Sequence, residues 1–155
     1  MDLKIAAVGR LRGGPEAELV DDYLTRIGKI GRNVGIGQAF VHEVEAKKGG
    51  MSAEAALLEK AVQGAKPLVV LDERGRLLSS PDFADKLGTW RDDGAREIGF
   101  VIGGADGVAN DLRDRADLTL SFGKMVWPHM LARVMLAEQL YRATSILTGS
   151  PYHRT

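Results

Sequence analysis

The sequence predicts an α/β fold, a mainly parallel sheet with helices on both faces. Three observations predict it. Short, uniformly apolar runs recur along the chain, as strands buried on both faces require. Segments with apolar residues at helical spacing separate those runs. Glycine-containing turns follow several of them, where strand-to-helix connections fall. A chain of 155 residues reads as one domain, spanning residues 1–155, long enough to bury a core without staples.

The elements follow in order. Residues 4–9 form a short apolar strand ended by Gly9. Residues 15–30 place Leu19, Val20, Tyr23, Leu24 and Ile27 at helical spacing. Pro15 suits the first turn of that helix, and Glu16 and Glu18 suit its positive end. Residues 28–37 are glycine-rich and irregular, residues 39–44 read as a second strand, and residues 47–50 as a turn. Ser52 offers an N-cap for a helix to about Gln63. Residues 67–72 form a continuous apolar strand with a turn to Gly75 after it. Ser80, Pro81 and Asp82 open a helix to about Trp90. Residues 97–102 are the next strand, followed by a glycine loop at 103–107 and a short helix at 110–115. The last strand is 117–121, and the longest helix runs over 128–147. Ligands of parallel sheets sit beyond the carboxyl ends of the strands, so the loops at 72–75, 103–107 and 122–127 are expected to form a pocket.

Composition narrows the chemistry. The chain has no cysteine, which excludes disulfides, thiolate metal sites and a cysteine nucleophile. Three scattered histidines do not make a metal site, so no metal is expected; His42 lies in a strand and reads as structural. No apolar stretch approaches the ~20 residues that span a bilayer, and no cleavage pattern follows the start. A soluble, cytoplasmic protein without membrane contact is expected. Lys+Arg and Asp+Glu both number 21, and this zero balance counts against a free-standing nucleic-acid binder. Position changes that reading. Residues 121–155 hold Lys124, Arg133, Arg142 and Arg154 against Glu138 alone, leaving the other 120 residues at −3.

Several segments carry chemical potential. Glycines at 103–107 let main-chain amides approach a ligand, but the spacing is neither a dinucleotide fingerprint nor a P-loop. A cofactor loop and a plain tight turn both fit, there and at 72–75. The apolar stretch 122–128 suits a flat ring such as adenine held by main-chain groups, or else packed core. The last helix is apolar nearly all round, which fits burial against a second copy or a central core position. Glu138 and Arg142 stand four apart and can pair, while His129 and Arg133 share another face. The tail sets Tyr152, His153 and Arg154 side by side. Such a set can stack on a base, move a proton and hold phosphate, unless it is an ordinary exposed end.

Together these segments resemble one family. Ala7-Val-Gly9, Leu71-Asp-Glu-Arg-Gly75, Phe100-Val-Ile-Gly-Gly104 with Gly107, and Leu120-Ser-Phe-Gly-Lys-Met125 are similar to the RlmH family of ribosomal RNA methyltransferases, a branch of the SPOUT superfamily. Pro128-His129, Arg133-Val134, Glu138-Gln-Leu-Tyr-Arg-Ala143 and Pro151-Tyr-His-Arg154 continue the match over nearly the whole chain. The resemblance implies a C-terminal trefoil knot, a homodimer and S-adenosylmethionine bound in the knot. It places cofactor contacts at Leu71, Gly103, Gly104, Phe122, Gly123, Lys124, Met125, Val126 and Trp127. It implies methylation of N3 of a pseudouridine in the intersubunit stem-loop of 23S rRNA, on the assembled ribosome. Gly123 and Val126 stand where relatives often have Ser and Thr, and Trp127 replaces a smaller apolar residue.

Methyl transfer from a sulfonium is an in-line displacement, which positioning accelerates. N3 must lose a proton, and His129 and His153 are the imidazoles in suitable segments. Tyr152 and His153 are expected at the target base, with Arg133, Arg142 and Arg154 on RNA phosphates. In a dimer, the tail of one subunit can complete the pocket of the other. The alternatives are a SPOUT methyltransferase acting on tRNA and a non-catalytic ribosome- or RNA-binding module.

Overall fold

The computed structural model describes residues 1–154. Its five strands are β1 (Asp2–Val8), β2 (Ala39–Val44), β3 (Leu68–Leu77), β4 (Glu97–Ile102) and β5 (Leu118–Ser121). Its helices are α1 (Pro15–Ile30), α2 (Met51–Ala61), α3 (Ser80–Asp92), α4 (Asn110–Asp114) and α5 (His129–Thr148). A single 3-10 turn, Gly31–Val34, follows α1 inside the glycine-rich stretch. The sheet runs β2-β1-β4-β3-β5, and every pairing is parallel.

Strand alternation sends side chains to two cores. Leu3, Ile5, Ala7, Ile98, Phe100 and Ile102 pack with Ile27 of α1, Phe83 and Leu87 of α3, and Leu136 and Leu140 of α5. Ala6, Val70 and Val101 face the other way, toward Leu58 of α2 and Leu112 of α4. Helices therefore cover both faces, as the uniformly apolar strands predict. Gly99 lets α2 close on the sheet, since a Cβ there would stand 3.1 Å from Ala65 and 3.2 Å from Val62.

Two expectations change. Ser52 does not cap α2: the helix starts two residues earlier, from Gly50 at φ 126°, with no side-chain cap. Ser79 does cap α3, its Oγ accepting from the Asp82 N–H at 3.1 Å. The second change concerns residues 72–75, expected as a turn beyond the strand. They form a bulge within it, because Leu71 and Arg76 both pair with Leu120 of β5. The chain can fold out there because Gly75 lies flat on β5; a Cβ would stand 2.5 Å from the Thr119 carbonyl oxygen. No helix among the described residues is long and apolar enough to cross a membrane.

Candidate active site

The carboxyl ends of β3, β4 and β5 open into a cleft of about 710 Å³. Three walls form it: Leu71 to Arg74 from the β3 bulge, Ile102 to Gly107 after β4, and the segment from Phe122 to His129 after β5. Of the nine positions expected to touch a cofactor, eight line this cleft; Lys124 is exposed and is not in its walls.

Each wall has a local cause. After β4 the chain turns back at once, with Gly104 and Gly107 bridged and the Gly107 N–H donating to the Gly104 carbonyl at 3.0 Å. A Cβ on Gly103 would run into the Gly107 carbonyl, so the segment is the tight turn, and its glycines line the cleft. After β5, the Ser121 hydroxyl lies 3.0 Å from the Glu73 carbonyl and accepts the Gly123 N–H at 3.0 Å, tying the loop to the bulge. Gly123 then holds φ 126°, which an L side chain rarely adopts. The segment beyond is not packed core: Met125 and Val126 are 76% and 77% exposed, and Trp127 is 44% exposed. Among the described residues the main-chain N–H groups of Met125, Val126 and Trp127 donate to no partner. An apolar ledge with free main-chain donors suits a flat heterocycle.

Asp72 closes the β3 wall, and the sequence reading passed over it. Its carboxylate accepts from Arg74 Nε at 2.9 Å and from Arg113 at 3.3 Å, which ties α4 to the bulge. The Arg74 guanidinium, helped by the Arg74 N–H and Arg113, holds its pKa down at about 2 despite partial burial. An acid directly after an apolar strand is the signal that could have found it. Glu54 of α2 gave no signal. Its carboxylate lies against Gly104, where a Cβ would stand 3.0 Å from Oε2, and that oxygen is buried without a partner.

His129, the first residue of α5, lines the cleft with its Nδ1 buried and unpartnered. Its ring lies over Gly9, 3.6 Å from where a Cβ would be. Arg133 shares that face of α5, as its spacing predicts, but its expected role is corrected. The guanidinium is 2% exposed, donates to Glu43 at 2.6 Å and to the carbonyls of Val8 and Gly9 at 3.2 and 3.0 Å, and so is closed to phosphate. Burial works to raise the Glu43 carboxyl, but the Leu11 N–H and Arg133 outweigh it and hold it below its ordinary range.

Arg142, Tyr152 and His153 gather elsewhere. Arg142 pairs with Glu138 at 2.6 Å, the expected four-residue pair, and its N–H donates toward His153 Nδ1 at 3.3 Å. The Tyr152 hydroxyl donates to Glu138 at 3.0 Å, and its ring lies 4.8 Å below the Arg142 guanidinium. Burial first, then contacts with Tyr23 and Glu138, push the Tyr152 pKa well above its ordinary value, so its phenol stays protonated. Arg154 is exposed. Arg142 lies thirteen residues along α5 from His129, about 20 Å at 1.5 Å per residue. The cluster is thus anchored on the middle of α5, at Glu138 and Arg142, and His129 on its first residue.

Comparison with known proteins decides the family. A family model described as "Predicted SPOUT methyltransferase" matches residues 1–153. The chain belongs to the SPOUT methyltransferases. It is 63% identical over 155 residues to "Ribosomal RNA large subunit methyltransferase H" of Ruegeria pomeroyi, covering 99% of each chain. The protein of the same name from Paracoccus denitrificans is also 63% identical, with the same coverage. These matches place it in the RlmH branch of the SPOUT family. Among solved structures, a methylase family protein from Haemophilus influenzae superposes with a TM-score of 0.56 at 13% identity, over 99% of this chain and 70% of that one. Another from Neisseria gonorrhoeae superposes with a TM-score of 0.54 at 12% identity, over 99% and 86%. The two structures share its fold.

Proposed function

We propose that the chain is an S-adenosylmethionine-dependent methyltransferase acting on N3 of a pseudouridine in the intersubunit stem-loop of 23S rRNA, on assembled ribosomes. The observation that carries the cofactor assignment is the cleft itself: eight of the nine expected contact positions meet there, on free main-chain donors and a glycine cradle. The near-identical length and 63% identity to relatives named as large-subunit rRNA methyltransferases carry the substrate assignment.

The residues fit the cofactor. Residues 122–127 and Leu71 would hold its adenine, and Gly103 and Gly104 would let its sugar come close to the main chain. Bound there, it supplies an electrophilic methyl group. The chain's own part is to align the base, exclude water and accommodate the N3 proton. His129 is placed at the cleft for proton transfer, while Tyr152 serves as a hydrogen-bond donor and stacking surface, since its phenol stays protonated.

The working unit is a homodimer with the C-terminal trefoil knot of the family. Leu77, Met130 and Leu131 are exposed apolar side chains outside the cleft, as Met125 and Val126 are on its wall, which supports cover by a second copy. The separation between His129 and the Arg142–Tyr152–His153 cluster supports a site built from both subunits. Arg154 is the exposed cation of the tail and is assigned to phosphate; Arg142 orients Tyr152 and His153.

The deciding experiment assays methyl transfer to free tRNA, free 23S rRNA and whole ribosomes side by side, with mass mapping of the modified nucleotide. Methylation of ribosomes at N3 of a pseudouridine is expected. Transfer to tRNA, or no affinity for S-adenosylmethionine by calorimetry, would reject the proposal in favour of the tRNA or non-catalytic alternative. Tyr152→Ala, His153→Ala and Arg154→Ala each test the tail; full activity in all three removes it from the site.

A further inference from the structure

The carboxyl edge of the sheet has a second half that the cleft does not use. The cleft takes the ends of β4, β3 and β5. The ends of β1 and β2 lie beside it, in register from Leu3↔Ala39 to Val8↔Val44, with strands about 4.8 Å apart. Each continues into a glycine-bracketed loop. The loop at 9–14 after β1 carries Arg10 and Arg12 between Gly9 (φ 93°) and Gly13 (φ 84°). The loop at 45–50 after β2 carries Lys47 and Lys48 before Gly49 and Gly50.

All four cations are exposed. Arg10 pairs with Glu45 at 3.3 Å; Arg12, Lys47 and Lys48 form no ion pair among the described residues. Glu43, at the end of β2, is already taken up by Arg133 and by the Leu11 N–H at 2.8 Å. Glu16 approaches only the start of α1, near Gly14. The Gly9 N–H donates to the Val44 carbonyl at 2.8 Å, so the loop bases are tied together while the charges face solvent. His129 links the two halves, since it lines the cleft and covers Gly9.

We infer that these two loops form a track for the RNA phosphate backbone, leading the strand that carries the target base over β2 and β1 into the cleft. The inference rests on the reading that the substrate is ribosomal RNA. It assigns phosphate contacts to the first 50 residues, where the charge balance alone pointed only to the C-terminal end. Cations on flexible stems, with no partner in the protein, suit phosphate binding that positions a strand without reading its sequence.

The test compares the parent with an Arg12→Ala, Lys47→Ala, Lys48→Ala triple variant and with Lys66→Ala, whose residue precedes β3 at the opposite edge of the sheet. Methylation of ribosomes is measured against salt. Each lost phosphate contact lowers the slope of log kcat/KM against log salt by about 0.7, so the triple variant is expected to lose about 2. Its kcat at saturating ribosome and its calorimetric affinity for S-adenosylmethionine stay at parental values, and Lys66→Ala keeps the parental slope. Crosslinks from Lys48 are expected on nucleotides. A parental slope in the triple variant, or crosslinks that fall on ribosomal protein, overturns the track while leaving the proposed function standing. A parent that does not methylate ribosomes overturns both.

Discussion

Arg133 shows how a residue type alone misleads. An arginine beside an expected active site reads as a phosphate ligand, yet this one is buried on Glu43 and two carbonyls of the β1 end. Helical spacing showed which residue shared its face but not what that face meets, because β1 and β2 arrive from more than 80 residues away in sequence. Arg133→Met is therefore expected to lower unfolding free energy by about 2 kcal/mol, the cost of leaving the Val8 and Gly9 carbonyls without their donor. Arg154→Ala is expected to leave stability unchanged and to lower activity; urea unfolding beside a methylation assay separates the two. Asp72 supplies a pH test. Its folded pKa of about 2 lies below the ordinary 3.8, so its pairing stabilises the fold above about pH 4 and is lost as pH falls toward 2. The exposure of its main partner, Arg74, limits the effect to about 1 kcal/mol. Unfolding free energies measured from pH 6 to 2 should show that step in the parent and not in Asp72→Asn.

At the scale of elements, the sequence patterns were legible in the strands and helices alike, and β2 falls on its expected bounds of 39–44. β1, β4 and β5 and helices α1, α3 and α5 lie within two residues of their expected bounds, because uniform apolarity and helical spacing are local signals. Residues 72–75 were not legible as a bulge. Their polar composition says turn, and only β5, paired on both sides of them, keeps them in the strand. The Gly75 contact with the Thr119 carbonyl makes the bulge testable. Gly75→Ala must push β5 from β3 and is expected to cost about 2 kcal/mol, as overpacking in a close contact does. Because Ser121 ties the same bulge to Gly123, the variant should also bind S-adenosylmethionine more weakly. Calorimetry and thermal unfolding would show the two losses together; a loss of stability with unchanged affinity would mean that the bulge does not set the cofactor wall.

For the whole molecule the question is which cleft each tail serves. Arg142 and His129 stand about 20 Å apart along α5, so a tail folded as it is here stays away from the His129 end of its own cleft. The proposed symmetric dimer would give each cleft a second tail, and the exposed apolar side chains Met130 and Leu131 would lie in that contact. Mixing two inactive variants distinguishes the arrangements. Gly103→Val distorts the cleft wall, because a side chain there meets the Gly107 carbonyl, and Tyr152→Ala removes the aromatic ring of the tail. If each site takes its cleft from one chain and its tail from the other, every mixed dimer holds one intact site. Random exchange makes half the dimers mixed, so about one quarter of parental activity is expected to return, since each of them has one working site of two. If cleft and tail act within one chain, no mixture contains a complete site. The mixture then stays as inactive as its components, and the separation along α5 must close by movement of the tail instead.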